Sequence, residues 1–357
     1  MKNPPSDFRS NSPLTQPPAD YFPPGSRRFF EIRTGLDAGK AMFHFDHRIG
    51  AFDPEATVVL VHGNPESSYT YRHVRDALLA SGRPMRLIAM DHIGFGLSDQ
   101  ADFEMVDMHH AANLLQLIQH LDLRDVSLVV HDWGGPIGIG AFANEPWRVR
   151  NLLVANSTIF PMPGDGPTYA NFPTRWLPWS KTPHVIPDRL WGGLAAYVVS
   201  HAEPQSRASF YWNVARSVLA HASKSFDSGS PEAVWSDQFR SQANARSSKR
   251  NVLQTPVWGH GYRYDDPRLG PQDNRTFYRQ MQEVIPREWG PAGRNIEAAG
   301  YFGSWDACGK KSVIKQWCTA LPRMQENLHV FPQHGHFIEE HQGPAMAGSI
   351  LKMNSVK

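Results

Sequence analysis

Short unbroken apolar runs alternate along this chain with stretches in which apolar residues recur every three to four positions. After Arg27, "RRFFEIR" and "KAMFHFDH" predict two strands split by a Gly/Asp turn. "TVVLVHGNP" and "RLIAMDHIGFG" follow, each apolar run ending abruptly in glycine and polar residues. Runs without polar alternation suit strands covered on both faces, as in a parallel sheet. "MHHAANLLQLIQHLDL" sets Leu114, Leu115, Ile118 and Leu121 on one helical face. "SLVVHD" then predicts a strand, "PIGIGAFANEP" a helix and "VRNLLVANS" another strand. This alternation argues for an α/β sheet with helices on its faces.

The pattern is lost from Pro161 to about Asn295, a stretch rich in proline, glycine and tryptophan. It resumes with "NIEAAGYFG", "SVIKQWCTALP" and "ENLHVFP", closing on "AMAGSILKM". The expected organisation is a proline-rich arm (1–26), a first core part (27–160), a mainly helical cap insertion (161–295) and a second core part (296–357). An insertion there would cover the carboxyl edge of the strands, where open α/β sheets bind ligands.

Composition narrows the classes. The chain has 357 residues, net charge +2 and no long basic run, so nucleic acid is not an expected partner. No apolar stretch approaches the roughly 18 residues of a membrane helix. The start lacks a secretory apolar region, and the two cysteines, Cys308 and Cys318, suggest reduced thiols and a cytoplasmic setting rather than a disulfide framework.

Candidate chemistry gathers at strand ends. "HDWGG" puts Asp132 on a sharp strand-to-helix turn, exposed above the sheet, where free N–H groups favour negative charge. The same aspartate could serve only as a helix N-cap. "HGNP" can aim the Asn64 backbone N–H and side-chain amide into one cavity, with the backbone N–H and indole of Trp133 beside them. The alternatives are a loop-stabilising asparagine and a packed tryptophan. In "FPQHGHFIEE", His336 is a candidate base, with His334 a neighbouring decoy. In "GYFGSWDACG", Asp306 could hold the imidazole tautomer, or be an ordinary turn aspartate. "GFG" lacks a full dinucleotide fingerprint, and neither "HGH" nor "HH" comes with a ligand cluster at metal spacing.

Together "HGNPESSYTYR", "DHIGFGLSD", "VVHDWGG" and "GHFIEE" resemble the α/β-hydrolase fold and, within it, the haloalkane dehalogenases. The resemblance runs from about Arg27 and is weakest in the cap. It implies a nucleophilic Asp132, a base His336, an acid partner Asp306, and halide-binding donors on Asn64 and Trp133. It implies an apolar halogenated substrate, water, and no cofactor or metal. One subgroup carries its acid after the strand matching "LLVANS", where this chain has Asn156, which favours Asp306. Another takes a second halide-binding tryptophan from the cap and lacks an asparagine after His-Gly. Asn64 therefore groups this chain with the asparagine users.

Trp176, Trp179, Trp191, Trp212, Trp235, Trp258 and Trp289 fall in the cap, with Tyr169 and Phe172 near its start. Most are expected to form the cap's own core, and two or three to line an apolar pocket. An epoxide hydrolase would use the same aspartate with ring-protonating tyrosines such as Tyr169, Tyr197 or Tyr211. A non-catalytic binding protein would show a broken catalytic set.

Overall fold

The computed structural model describes residues 10–173, 177–201 and 205–355. The strands are β1 (Arg27–Glu31), β2 (Ala41–Ile49), β3 (Thr57–Val61), β4 (Met85–Met90), β5 (Val126–His131), β6 (Val149–Ala155), β7 (Arg263–Asp266), β8 (Gly270–Asp273), β9 (Glu297–Gly303) and β10 (Leu328–Phe331). Eight of them form one sheet in the order β1-β2-β4-β3-β5-β6-β9-β10. β1 pairs antiparallel with β2, and β2 with β4. Every later neighbour is parallel. β3, β5 and β6 sit mid-sheet, and all six residues of β5 are buried, which is why their sequences show no polar alternation.

The flanking helices are α1 (Arg72–Ala80), α2 (Asp107–His120) and α3 (Gly134–Phe142). Within the long excursion lie α4 (Thr182–Val185), α5 (Trp191–His201), α6 (Arg207–Ser223), α7 (Pro231–Asp237), α8 (Gln242–Leu253) and α9 (Arg275–Val284). α10 (Lys311–Ala320) and α11 (Ile338–Ser355) follow. Leu114, Ile118, Ile137, Met281 and Trp317 share one core with inward residues of β3, β4 and β5, so α2, α3, α9 and α10 cover one face. Val74, Leu78, Met346 and Ile350 pack with Val58, Leu60 and Val129, so α1 and α11 cover the other.

The predicted insertion holds two packing environments. Trp191, Leu194, Tyr197, Phe210, Phe239 and Val252 form a cluster of their own with Phe95. By contrast Tyr278, Met281, Val284, Ile285 and Trp289 belong to the sheet's core, and the β7–β8 hairpin is bonded to the core segment before α2, with Glu104 N–H donating to Asp266 Oδ2 at 2.8 Å. The expectation that most cap tryptophans build the cap's core is corrected accordingly. Trp258 and Trp289 pack into the sheet core and Trp235 into the opposite cluster, while Trp212 is 70% exposed. Trp176 lies outside the described residues.

The described part of the N-terminal arm is anchored. Tyr21 is fully buried, its hydroxyl donating to Asp91 Oδ2 at 2.8 Å, and its carbonyl accepts from Arg75. Cys308 and Cys318 are free and buried. Among the described residues no helix is long and apolar enough to cross a membrane.

Candidate active site

β5 ends at His131, and the chain turns at once into α3. Asp132 takes the turn with φ +50°, a left-handed conformation that costs an aspartate less than most side chains. The turn is cramped on both sides. A Cβ on Gly63 would lie 2.4 Å from Asp132 Oδ1 and 2.7 Å from the Trp133 nitrogen. One on Gly134 would lie 2.1 Å from the Val61 carbonyl oxygen. Glycine at these positions lets the β3 and β5 loops touch.

That contact sets the first bond of the site. The Asn64 backbone N–H donates to Asp132 Oδ1 at 2.8 Å. On the other carboxylate oxygen, His336 Nε2 stands 3.0 Å from Asp132 Oδ2. His336 Nδ1 donates to Asp306 Oδ2 at 2.9 Å. Asp306 is fully buried, and its Oδ1 accepts the Cys308 N–H at 2.8 Å. Four residues from four separate loops thus converge. Burial opposes charge on the His336 ring, but the Asp306 charge, the hydrogen bonds to both carboxylates and the Asp132 charge outweigh it and hold the ring well above its ordinary value. The ring donates from both nitrogens when it is the imidazolium.

Asn64 is held from the excursion. The Trp191 indole N–H donates to Ser248 Oγ at 2.8 Å, so the hydroxyl's own proton goes to Asn64 Oδ1, 2.5 Å away. This fixes which end of the amide is oxygen. Asn64 Nδ2 is left buried with no partner among the described residues, a donor waiting for an acceptor. Sequence reasoning named Trp191 only among the cap tryptophans and did not find Ser248, and no local signal marked this role for either.

Trp133 is placed differently from the other four. It is 99% buried and stacks on Trp258 at 3.9 Å between ring centroids. Its indole N–H carries no hydrogen bond to a described residue. The cleft above Asp132 spans about 550 Å³ when the open solvent at its mouth is counted with it. Its walls are largely apolar, with Phe172, Trp179, Val198, Phe210, Trp305 and Phe337 around Asn64, Asp132 and His336. Of the described cap tryptophans only Trp179 reaches it, joined by Trp305 from the core.

The three tyrosines separate. Tyr169 donates to Asp306, 3.2 Å from either carboxylate oxygen, and stacks on Trp258. Tyr197 lines the cleft and accepts from Gln205 at 2.7 Å. Tyr211 is 41% exposed. Asn156 bonds to the loop of the base, donating to the carbonyls of Gly335 at 2.8 Å and His336 at 2.6 Å. His334 faces Gln342 and His341 instead of the site.

A Ser248→Ala change should free the Asn64 amide to rotate and leave its oxygen unpaired. About 1–2 kcal/mol is the usual cost of such a loss, so the protein should unfold at a lower urea concentration than wild type. Equilibrium denaturation checks this.

A family model described as the α/β hydrolase fold matches residues 56–338. The chain is 39% identical over 291 residues to the cis-3-alkyl-4-alkyloxetan-2-one decarboxylase of Shewanella oneidensis, covering 79% of this chain and 77% of that protein. It is 41% identical over 301 residues to the haloalkane dehalogenase of Mycolicibacterium paratuberculosis, covering 82% of each. The tetrameric structure of haloalkane dehalogenase DpaA from Paraglaciecola agarilytica NO2 matches with a TM-score of 0.62 and 23% identity, over 94% of this chain and 97% of that one. The parallel sheet, the aspartate on its turn and these matches agree: the chain belongs to the α/β-hydrolase fold and, within it, to the haloalkane dehalogenase family.

Proposed function

We propose that this protein hydrolyses haloalkanes to an alcohol and halide through a covalent ester on Asp132. The observation that carries the reading is the Asp132–His336–Asp306 chain of hydrogen bonds, 3.0 and 2.9 Å long, at the floor of an apolar cleft. A carboxylate suits displacement at a saturated carbon, because it attacks without first losing a proton. Asp132 forms the C–O bond as the carbon–halogen bond breaks, and the halogen leaves with the electron pair. The unpaired Asn64 Nδ2–H is placed to take that growing charge. The Trp133 indole is a second donor in this reading.

Esterification removes the Asp132 charge and its bond to His336, two of the influences that hold the ring's proton. The first step therefore readies the base for the second. His336 then takes a proton from water, and the oxygen adds to the ester carbonyl. The backbone N–H groups of Asn64 and Trp133 hold the oxyanion, Asp306 stabilises the imidazolium, and collapse frees the alcohol. The part of the excursion around α4–α8 acts as the cap that keeps the cleft dry.

His336→Gln protein tests this directly. With 1-bromobutane it should release one equivalent of bromide and then stop, with a butyl adduct on Asp132 by intact-protein and peptide mass spectrometry. No bromide and no adduct would overturn the reading.

A second reading is favoured by the 39% identity to the oxetanone decarboxylase. The same nucleophile and cleft would then receive a strained four-membered lactone bearing two alkyl chains. Wild-type protein that releases carbon dioxide from a cis-3,4-dialkyloxetan-2-one, and no bromide from bromoalkanes, would select it.

A further inference from the structure

Beneath the site lies a second group of titratable side chains that the proposed reaction does not use. His131, Glu66 and Glu339 are all fully buried. His131 Nε2 is 2.9 Å from the backbone carbonyl oxygen of His336. A carbonyl only accepts, so Nε2 carries the proton. His131 Nδ1 faces Glu66 Oε1 at 2.8 Å and Glu339 Oε1 at 3.3 Å. Those oxygens also accept from the Gly63 N–H at 2.6 Å and the Thr70 hydroxyl at 2.5 Å. A second proton must therefore sit between Nδ1 and Glu66, on one or the other.

We propose that Glu66, His131 and Glu339 form a proton-sharing brace in which His131 is a positioning residue for the base, pinning the His336 main chain from below. The inference rests on the proposed roles of Asp132 and His336. Asn156 grips the same carbonyl from β6. Two side-chain donors on one carbonyl oxygen fix the point from which the His336 ring reaches both carboxylates. Ring placement matters most when the base must meet water and the ester carbonyl together, and misplacement by about an ångström can cost on the order of 100-fold.

The surroundings favour protons on the acids. Burial, then the Asp132 charge, pushes Glu66 up to about 8. Burial pushes Glu339 up to about 8 as well, against the pull of His131 and with Glu66 adding to the rise. Burial lowers His131. The other titratable or charged groups facing the trio are Asp132 and His336 above it, His62, Tyr71, and Glu340 in its pair with Arg72. Both glutamates hold protons more tightly folded than unfolded. Their contribution to stability is full below pH 4.5 and drains as pH rises through 8. His131 works in the opposite sense, but only below pH 6.5. Between pH 6.5 and 8 the loss on raising pH should be steeper in wild type than in Glu66→Gln protein.

The test uses His131→Phe, which keeps a ring and removes both bonds, with Glu66→Gln as the milder variant. With 1-bromobutane, the single-turnover bromide step should change less than threefold while ester hydrolysis slows by about 10- to 100-fold. The butyl ester on Asp132 should then accumulate at steady state. Equal loss in both steps, or in neither, would overturn the brace. ¹⁵N-histidine NMR needs no substrate and separates this inference from the reaction it rests on. His336 ring resonances should shift in His131→Phe and, less, in Glu66→Gln. Unchanged resonances, or a stoichiometric metal ion in the purified protein that Glu66→Gln removes, would overturn it.

Discussion

Asp132→Asn protein is expected to release no halide, not even the single equivalent expected of His336→Gln protein. The amide has no charge to drive displacement, and among the described residues no other carboxylate adjoins the cleft with a free oxygen. Asp306 lies in the cleft wall, but its oxygens accept from Cys308, His336 and Tyr169. Losses near a million-fold follow removal of a nucleophile that acts as part of a catalytic unit, and a similar fall in kcat is expected here. Asparagine is the informative substitution because it tolerates the φ of +50° that position 132 demands. Circular dichroism and the melting temperature should therefore stay close to wild type. Release of bromide at more than about a thousandth of the wild-type rate would move the nucleophile elsewhere.

Asp306→Asn protein should stall one step later. An asparagine whose amide nitrogen faces His336 makes Nδ1 an acceptor and puts the ring proton on Nε2, toward Asp132. That ring cannot take a proton from water. The equivalent tautomer error in a serine-based triad costs about 10⁴-fold in kcat, and ester hydrolysis should fall by a similar factor. Alkylation asks nothing of the tautomer, so one equivalent of bromide should still appear. Losing the Asp306 charge also removes the largest influence that raises the His336 ring, so the ring should titrate nearer its ordinary range in the NMR spectrum. A burst of normal size followed by normal turnover would show that Asp306 is only a buried turn residue.

Much of this architecture was legible in the chain. The strand runs stood out because both faces of β3, β4 and β5 are covered, and because glycine and polar residues stop each run where a loop turns toward the cleft. Asp132, His336, Asp306 and Asn64 could be named because each directly follows such a stop. The rest depends on contacts that no local pattern encodes. Ser248 meets Asn64 across 184 positions of sequence, from the middle of a polar helix. Glu66 and Glu339 stand in a loop and at a helix start, where nothing in the local sequence marks them as buried. They are buried because His131, at the end of the most enclosed strand, draws both inward. α9 read as part of the insertion because the strand–helix rhythm breaks around it, yet its apolar face packs on the sheet's core. Trp133 shows the limit of naming by position. Its place after Asp132 was clear, but its stacking on Trp258 was not.

The bond from Ser248 to Asn64 ties the cover of the cleft to the donor on its floor. Any movement of α8 away from the sheet withdraws the hydroxyl that holds the amide in place. Under the proposed reaction, opening the cover and letting go of the anion would then be a single event, the ion being gripped while the chamber is shut and surrendered as it opens. A tighter hinge on that cover would strengthen the grip and slow the exit by the same change.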